Sequence, residues 1–315
     1  MRGPEASPMR FPVRKSLIAA AGAALIALGL ATPAAAALQV FACEPEWAAL
    51  SQEIGGDKVS VYAATTGVQD PHQIQARPSL IAKARTADIT VCTGAELEIG
   101  WLPMIVTQSA NKKIVAGAPG VFQPTDYVNL AEKPSSLDRS QGDIHAGGNP
   151  HIQSDPRNML PVGKALADRF AQLDPANAAT YRARYAAFAT KWQAALNRWQ
   201  AEAAPLRGQP IAVQHRSWVY LETWLGLRRV VALEPKPGVP PSSGYLAQVL
   251  EVLKKQPVKM IIRAAYEDGR PSEFVGQKAG VPAVMLPYTI GGTDQAKDLY
   301  SLYDDTLSRM LKAMK

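Results

Sequence analysis

The sequence predicts an α/β protein of two lobes, each a four-stranded parallel sheet with flanking helices, joined by one long helix. Three observations carry that prediction. Short apolar runs alternate with helical segments in the first half of the chain, the pattern of βαβ units. The second half repeats the pattern. Between the halves, apolar residues recur at spacings of three and four over some twenty residues, the mark of an amphipathic helix.

The elements follow in chain order. Residues 1–37 read as a secretory signal peptide: Arg10, Arg14 and Lys15, an apolar run from Ser16 to Ala31, then Pro33 and the Ala34–Ala37 string as a small-residue cleavage site. The run is short for a membrane span, which needs roughly 20 residues. The first lobe is expected over 38–173, with strands at Leu38–Cys43, Lys58–Ala64, Asp88–Cys92 and Lys113–Ala116. Glu46–Ile54 and Ser79–Ala87 are its helical segments. The linking helix is expected over 174–205, with Asp174 as N-cap, Pro175 at the first helical position, and Pro205 and Gly208 marking its end. Ala178, Tyr181, Tyr185, Phe188, Trp192, Leu196 and Trp199 form its apolar face. Such a face suits a packing helix as well as a rigid connector; the place between two matched lobes favours the connector. The second lobe, 206–315, has strands at Pro210–Gln214, Arg229–Leu233, Lys259–Arg263 and Ala283–Leu286. Helices are expected at Ser217–Leu225, Tyr245–Lys255, Ser272–Ala279 and from about Asp294 to Met314.

Charge bounds the partners. The chain has 34 Lys and Arg against 27 Asp and Glu, a formal +7. Without residues 1–37 the balance is 30 against 26, or +4, and the basic pairs Arg228-Arg229 and Lys254-Lys255 are short. No nucleic-acid stripe results. The two cysteines, Cys43 and Cys92, each end a strand. In an exported protein they form a disulfide if those strands are neighbours, and are otherwise two buried thiols. Val40-Phe41-Ala42-Cys43 loosely resembles a lipidation site, but Phe41 is bulky and Cys43 lies well past the alanine string. A free, soluble, exported protein is expected.

Four histidines carry the chemistry. His72, His145, His151 and His215 all fall in loops; His72 comes after the second strand and His215 directly follows the first strand of the second lobe. Ligands bind at the carboxyl ends of parallel strands, and neutral imidazole is a common zinc ligand. One histidine alone would read as a solvated loop residue. The strings Asp70-Pro71-His72 and Asn149-Pro150-His151, with a third histidine at a strand end, make coincidence less attractive.

These strings resemble the periplasmic metal-binding proteins of zinc and manganese ABC importers. The matching features are Asp70-Pro71-His72 with Arg77-Pro78-Ser79, Thr93-Gly94-Ala95-Glu96-Leu97-Glu98, Asn149-Pro150-His151 with Asp155-Pro156, the long helix, and His215 before Trp218 and Tyr220. The resemblance implies two α/β lobes on one long helix, with metal in the cleft between them. It implies His72, His151 and His215 as the first three ligands, with a histidine at the third position as in zinc-type members, and a monomer that delivers Zn²⁺ to an ABC permease in the periplasm. The fourth ligand departs from the family, which usually has an Asp just after the last strand. Here that stretch reads Leu286-Pro287-Tyr288-Thr289-Ile290-Gly291-Gly292. His145, Asp294, Glu267, Asp268 or a water are the alternatives.

Enzyme classes find little support. There is no Gly-x-Ser-x-Gly elbow, no His-Glu-x-x-His helix and no phosphate-cradling loop. A manganese receptor, a secreted zinc hydrolase with Glu267 as its base, and an iron-chelate receptor are the rivals. The Pro- and Gly-rich stretch Glu234 to Gly244 reads as a stiff loop at the cleft mouth rather than a polyproline ligand.

Overall fold

The computed structural model describes residues 1, 3, 36–134 and 142–315. The expected export signal falls almost wholly outside the described residues. Residues 37–315 form one compact unit.

The first sheet is built from β1 (Leu38–Ala42), β2 (Val59–Ala63), β3 (Ile89–Val91) and β4 (Val121–Phe122). Helices α1 (Pro45–Gly55), α2 (Pro78–Thr86) and α3 (Leu102–Ser109) connect them. Then come α4 (Met159–Leu173) and the long α5 (Ala178–Glu202). The second sheet comprises β5 (Pro210–Val213), β6 (Arg228–Ala232), β7 (Met260–Ala264) and β8 (Ala283–Leu286). Its helices are α6 (Val219–Leu225), α7 (Ser243–Lys255), α8 (Arg270–Ala279) and the closing α9 (Leu299–Ala313).

Both sheets are parallel throughout and share one strand order, β2-β1-β3-β4 and β6-β5-β7-β8. Strands of such sheets are covered on both faces, so they read as continuous apolar runs. Ile211 and Val213 face the central core, while Ala212 faces Val249, Leu253 and Val275 on the outer side. Phe41 likewise turns outward to Leu80 and Ile105 while Val40 and Ala42 turn inward. The central core runs unbroken from the first sheet, through Trp192 and Trp199 of α5, to Leu302 and Met310 of α9 and the second sheet.

Cys43 and Cys92 end neighbouring strands and are bridged, with Cα atoms 4.7 Å apart. The bridge leaves Cys43 no free thiol for a lipid.

Three expectations need correction. Lys113–Ala116 is not a strand: Asn111 accepts from the Lys113 N–H at 3.0 Å and starts a 3₁₀ turn over Lys112–Ile114. The Asn111 amide also holds the Ala84 and Ala87 carbonyls, so local side-chain bonding outcompetes the sheet. The fourth strand is instead the two-residue Val121–Phe122. At the long helix, Asp174 makes no cap; its carboxylate accepts from the Tyr181 hydroxyl at 2.8 Å and from Asn177 at 2.7 Å. Pro175–Asn177 is a 3₁₀ turn, and the α-helix runs 25 residues, about 37 Å. The last helix begins at Leu299 rather than Asp294, because Asp298 and Ser301 form a capping box.

Candidate metal centre

Two of the histidines sit in the same small device, used twice. In Asp70-Pro71-His72 the Asp70 Oδ1 accepts from the His72 backbone N–H at 3.0 Å and lies 2.7 Å from its ring Nδ1. In Asn149-Pro150-His151 the Asn149 Oδ1 does the same at 3.1 and 2.8 Å. The residue two before the histidine folds back and sets the ring, and the proline between them stiffens the turn. His215 follows β5, and its Nδ1 lies 2.7 Å from Oε2 of Glu234, which follows β6. With Nδ1 engaged in all three rings, the opposite nitrogen is the one offered to a ligand.

The rings converge. One donor atom from each of His72, His151 and His215 lies within 4.8 Å of the others. Ring centroids are 5.3 Å apart for His72 and His151, 5.8 Å for His72 and His215, and 5.7 Å for His151 and His215. His145 stands beside them, 5.5 Å from His72 and 6.1 Å from His151. The Nε2 atoms of His72, His145 and His151 are buried and have no hydrogen-bond partner. A zinc–nitrogen bond of about 2.0 Å puts a ring centroid roughly 3.2 Å from the metal, and four tetrahedral rings then sit about 5.2 Å apart. The spacings among His72, His151 and His215 need only a small contraction, while the donor atoms of His145 lie outside that group of three.

The electrostatics favour the uncharged form of two of the rings, His145 and His151. Burial lowers the His145 pKa to about 4, helped by His72 and His215. Burial pushes His151 well down. At His215 burial acts downward too, but the Glu234 hydrogen bond and charge outweigh it and hold the pKa above its ordinary value.

His145 reaches the cage on a loop clasped from two sides. The Ala146 N–H donates to Glu96 Oε2 at 3.1 Å, and the Asp143 N–H donates to the Pro237 carbonyl at 2.9 Å. Gly142, at φ +90°, lies against that carbonyl, where a Cβ would come within 2.3 Å of it. The loop divides two cavities. One of about 200 Å³ opens onto His151 and His215, the other of about 490 Å³ onto His72.

The remaining candidates stand apart. Asp294 is exposed and outside the gathered donors among the described residues. Asp268 is exposed and paired with Arg270. Glu267 lies nearer, grouped with His215 and Glu234. Sequence reasoning missed the three orienting acceptors. Asp70 and Asn149 were visible in the Asx-Pro-His strings; Glu234, nineteen residues from His215, left no local signal.

Comparison with known proteins bears on the family and the fold. Residues 40–315 match the ZnuA family model, described as zinc-uptake complex component A, periplasmic. The zinc-binding lipoprotein AdcA of Streptococcus pneumoniae serotype 4 is 21% identical over 268 residues, covering 84% of this chain and 52% of that protein. The chain therefore spans about half the length of AdcA. The manganese ABC transporter substrate-binding lipoprotein scaA of Streptococcus gordonii is 23% identical, covering 84% of each. The iron ABC transporter substrate-binding lipoprotein MtsA of Streptococcus pyogenes serotype M1 is 24% identical over 80% of each. Among solved structures, a crystal structure of ZnuA superposes with a TM-score of 0.74 at 22% identity, over 89% of this chain and all of that one. A manganese-bound periplasmic metal-binding protein of Candidatus Liberibacter asiaticus gives 0.71 at 16%, over 88% of this chain and 99% of that one.

Proposed function

The chain belongs to the ZnuA family, the periplasmic component A of zinc-uptake complexes, and on that premise we propose that it captures Zn²⁺ between its lobes and delivers it to an ABC permease. It works as an exported monomer, a carrier and not an enzyme. The relatives are named for zinc, manganese and iron, so the choice of metal rests on the donor set of this chain.

The observation that carries the reading is the convergence of the His72, His151 and His215 donor atoms, with the His145 ring beside them and the Nε2 atoms of His72, His145 and His151 buried and unpartnered. His72, His151 and His215 are the primary ligands, and His145 takes the place left by the family's missing aspartate. An all-nitrogen, tetrahedral set suits Zn²⁺; Mn²⁺ prefers more oxygen donors and a larger coordination number. Asp70, Asn149 and Glu234 hold the rings in the tautomer that offers Nε2.

Isothermal titration tests the reading. One equivalent of Zn²⁺ is expected to bind, and Mn²⁺ at matched free concentration should not displace it. The His72→Ala, His151→Ala, His215→Ala triple variant should lose tight binding. Unchanged zinc affinity in that variant would sink the assignment.

A further inference from the structure

We propose that the second lobe carries a second cation position, formed by His215, Glu234 and Glu267 in the crevice between β5 and β7, which takes a divalent ion that accepts carboxylate oxygen and is occupied in alternation with the four-imidazole cage.

The fold places it. In the order β6-β5-β7-β8, the chain leaving β5 turns toward β6 and the chain leaving β7 turns toward β8. Such a reversal opens a crevice at the carboxyl ends of the two central strands, where open α/β sheets bind ligands. His215 comes two residues after the end of β5 and Glu267 three after the end of β7. One donor atom from each of His215, Glu234 and Glu267 lies within 4.8 Å of the others.

Glu267 has no other evident employment. Its Oε2 accepts from the Ala264 N–H, which fixes the carboxylate, while Oε1 is buried without a partner. A bare carboxylate oxygen out of water is costly unless a cation or proton meets it. The Tyr266 hydroxyl is buried beside Glu267, next to Ser217; burial first and the Glu267 charge second push its ionisation far up. The matching crevice of the first lobe gathers Glu44 and Glu98, but its cysteine sulfur is tied up in the disulfide.

The two positions share His215. A neutral imidazole gives one nitrogen to one cation, and bridging two would require loss of its remaining ring N–H proton. The alternation therefore rests on the four-imidazole reading; the existence of the second position does not. One nitrogen and two carboxylates favour Mn²⁺-like ions and hold Zn²⁺ less tightly than four imidazoles. The position belongs to one lobe alone, so it can keep a cation while the first-lobe ligands are disengaged.

Mn²⁺ titration followed by electron paramagnetic resonance of the free ion tests this. The full-length His72→Ala, His151→Ala variant is expected to bind one Mn²⁺ per chain, and adding Glu267→Gln should weaken that binding at least tenfold. No Mn²⁺ bound by the first variant, or equal binding with and without Glu267→Gln, overturns the second position. Wild-type protein checks the alternation without substitution: one equivalent of Zn²⁺ should release bound Mn²⁺. Mn²⁺ retained beside a full equivalent of Zn²⁺ overturns it. Wild-type protein that binds no Zn²⁺ would instead defeat the cage and leave the first comparison to decide the second position.

Discussion

Asn149 ties the cage together across the lobes. Its Oδ1 sets the His151 ring, while its Nδ2 donates at 2.9 Å to the carbonyl of Arg216, the neighbour of His215. The same Nδ2 reaches Glu132, which also holds Arg216 and Arg229. The Tyr220 hydroxyl donates to the Asn149 carbonyl at 2.6 Å. Groups that orient metal ligands are worth about 10- to 100-fold in affinity. Asn149→Ala is accordingly expected to weaken Zn²⁺ binding by at least tenfold in a competition titration. Asn149→Asp keeps the acceptor for His151 but loses the donor for Arg216 and faces Glu132, so it should recover only part of the loss. Full recovery by aspartate would mean that the inter-lobe bond does not matter. At this scale the sequence told most where chemistry is local. The Asx-Pro-His strings marked His72 and His151, and a strand end marked His215. His145 was one of several alternatives for the fourth place, and Glu234 is brought in by a contact between distant loops that no spacing in the chain displays.

At the scale of elements, the start of α1 carries buried acids. Glu46 accepts from Thr289 of the second lobe, and burial raises its pKa to about 7. Glu98 is likewise raised to about 7 by burial, and Glu44 is pushed well up by burial and by Glu98. An unfolded glutamate ionises near 4.5, so the stability these acids contribute is complete below that pH and lost as pH rises through about 7. His145 and His151, with lowered pKa values, act the other way, losing stability below their unfolded value of 6.5. The difference between wild type and Glu46→Gln cancels the histidines. The variant keeps the Thr289 bond but cannot ionise, so its melting temperature should rise relative to wild type between pH 5 and pH 8. A difference that stays flat over that range contradicts the account. The disulfide between β1 and β3 closes a stretch of 49 residues. Chain entropy values such a loop at about 4 kcal/mol, and Cys43→Ala with Cys92→Ala should lower the unfolding free energy by that order in urea. Seven strands were legible because parallel strands are runs of apolar residues. β4 was not: two residues pair there, and the longer apolar run before it is diverted by Asn111.

For the whole molecule, the decisive feature is the core that passes through α5 and α9 into both sheets. Trp192, fully buried, packs on Phe188, Trp199, Tyr300 and Tyr303 and donates to the Pro156 carbonyl at 2.7 Å. Trp192→Ala is expected to cost about 3–5 kcal/mol, read as a fall in the urea midpoint. A core shared by both lobes resists hinge motion, so zinc capture should order loops such as 142–148 rather than swing the lobes. Small-angle scattering should give the same radius of gyration, within error, with and without Zn²⁺. A clear contraction on zinc binding would point to hinge closure. The central claim is the four-imidazole cage itself, and zinc X-ray absorption on the loaded protein addresses it most directly. The expected spectrum shows four nitrogen neighbours at about 2.0 Å with the outer-shell scattering of four imidazole rings. A first shell rich in oxygen, or with fewer than three imidazoles, would contradict it.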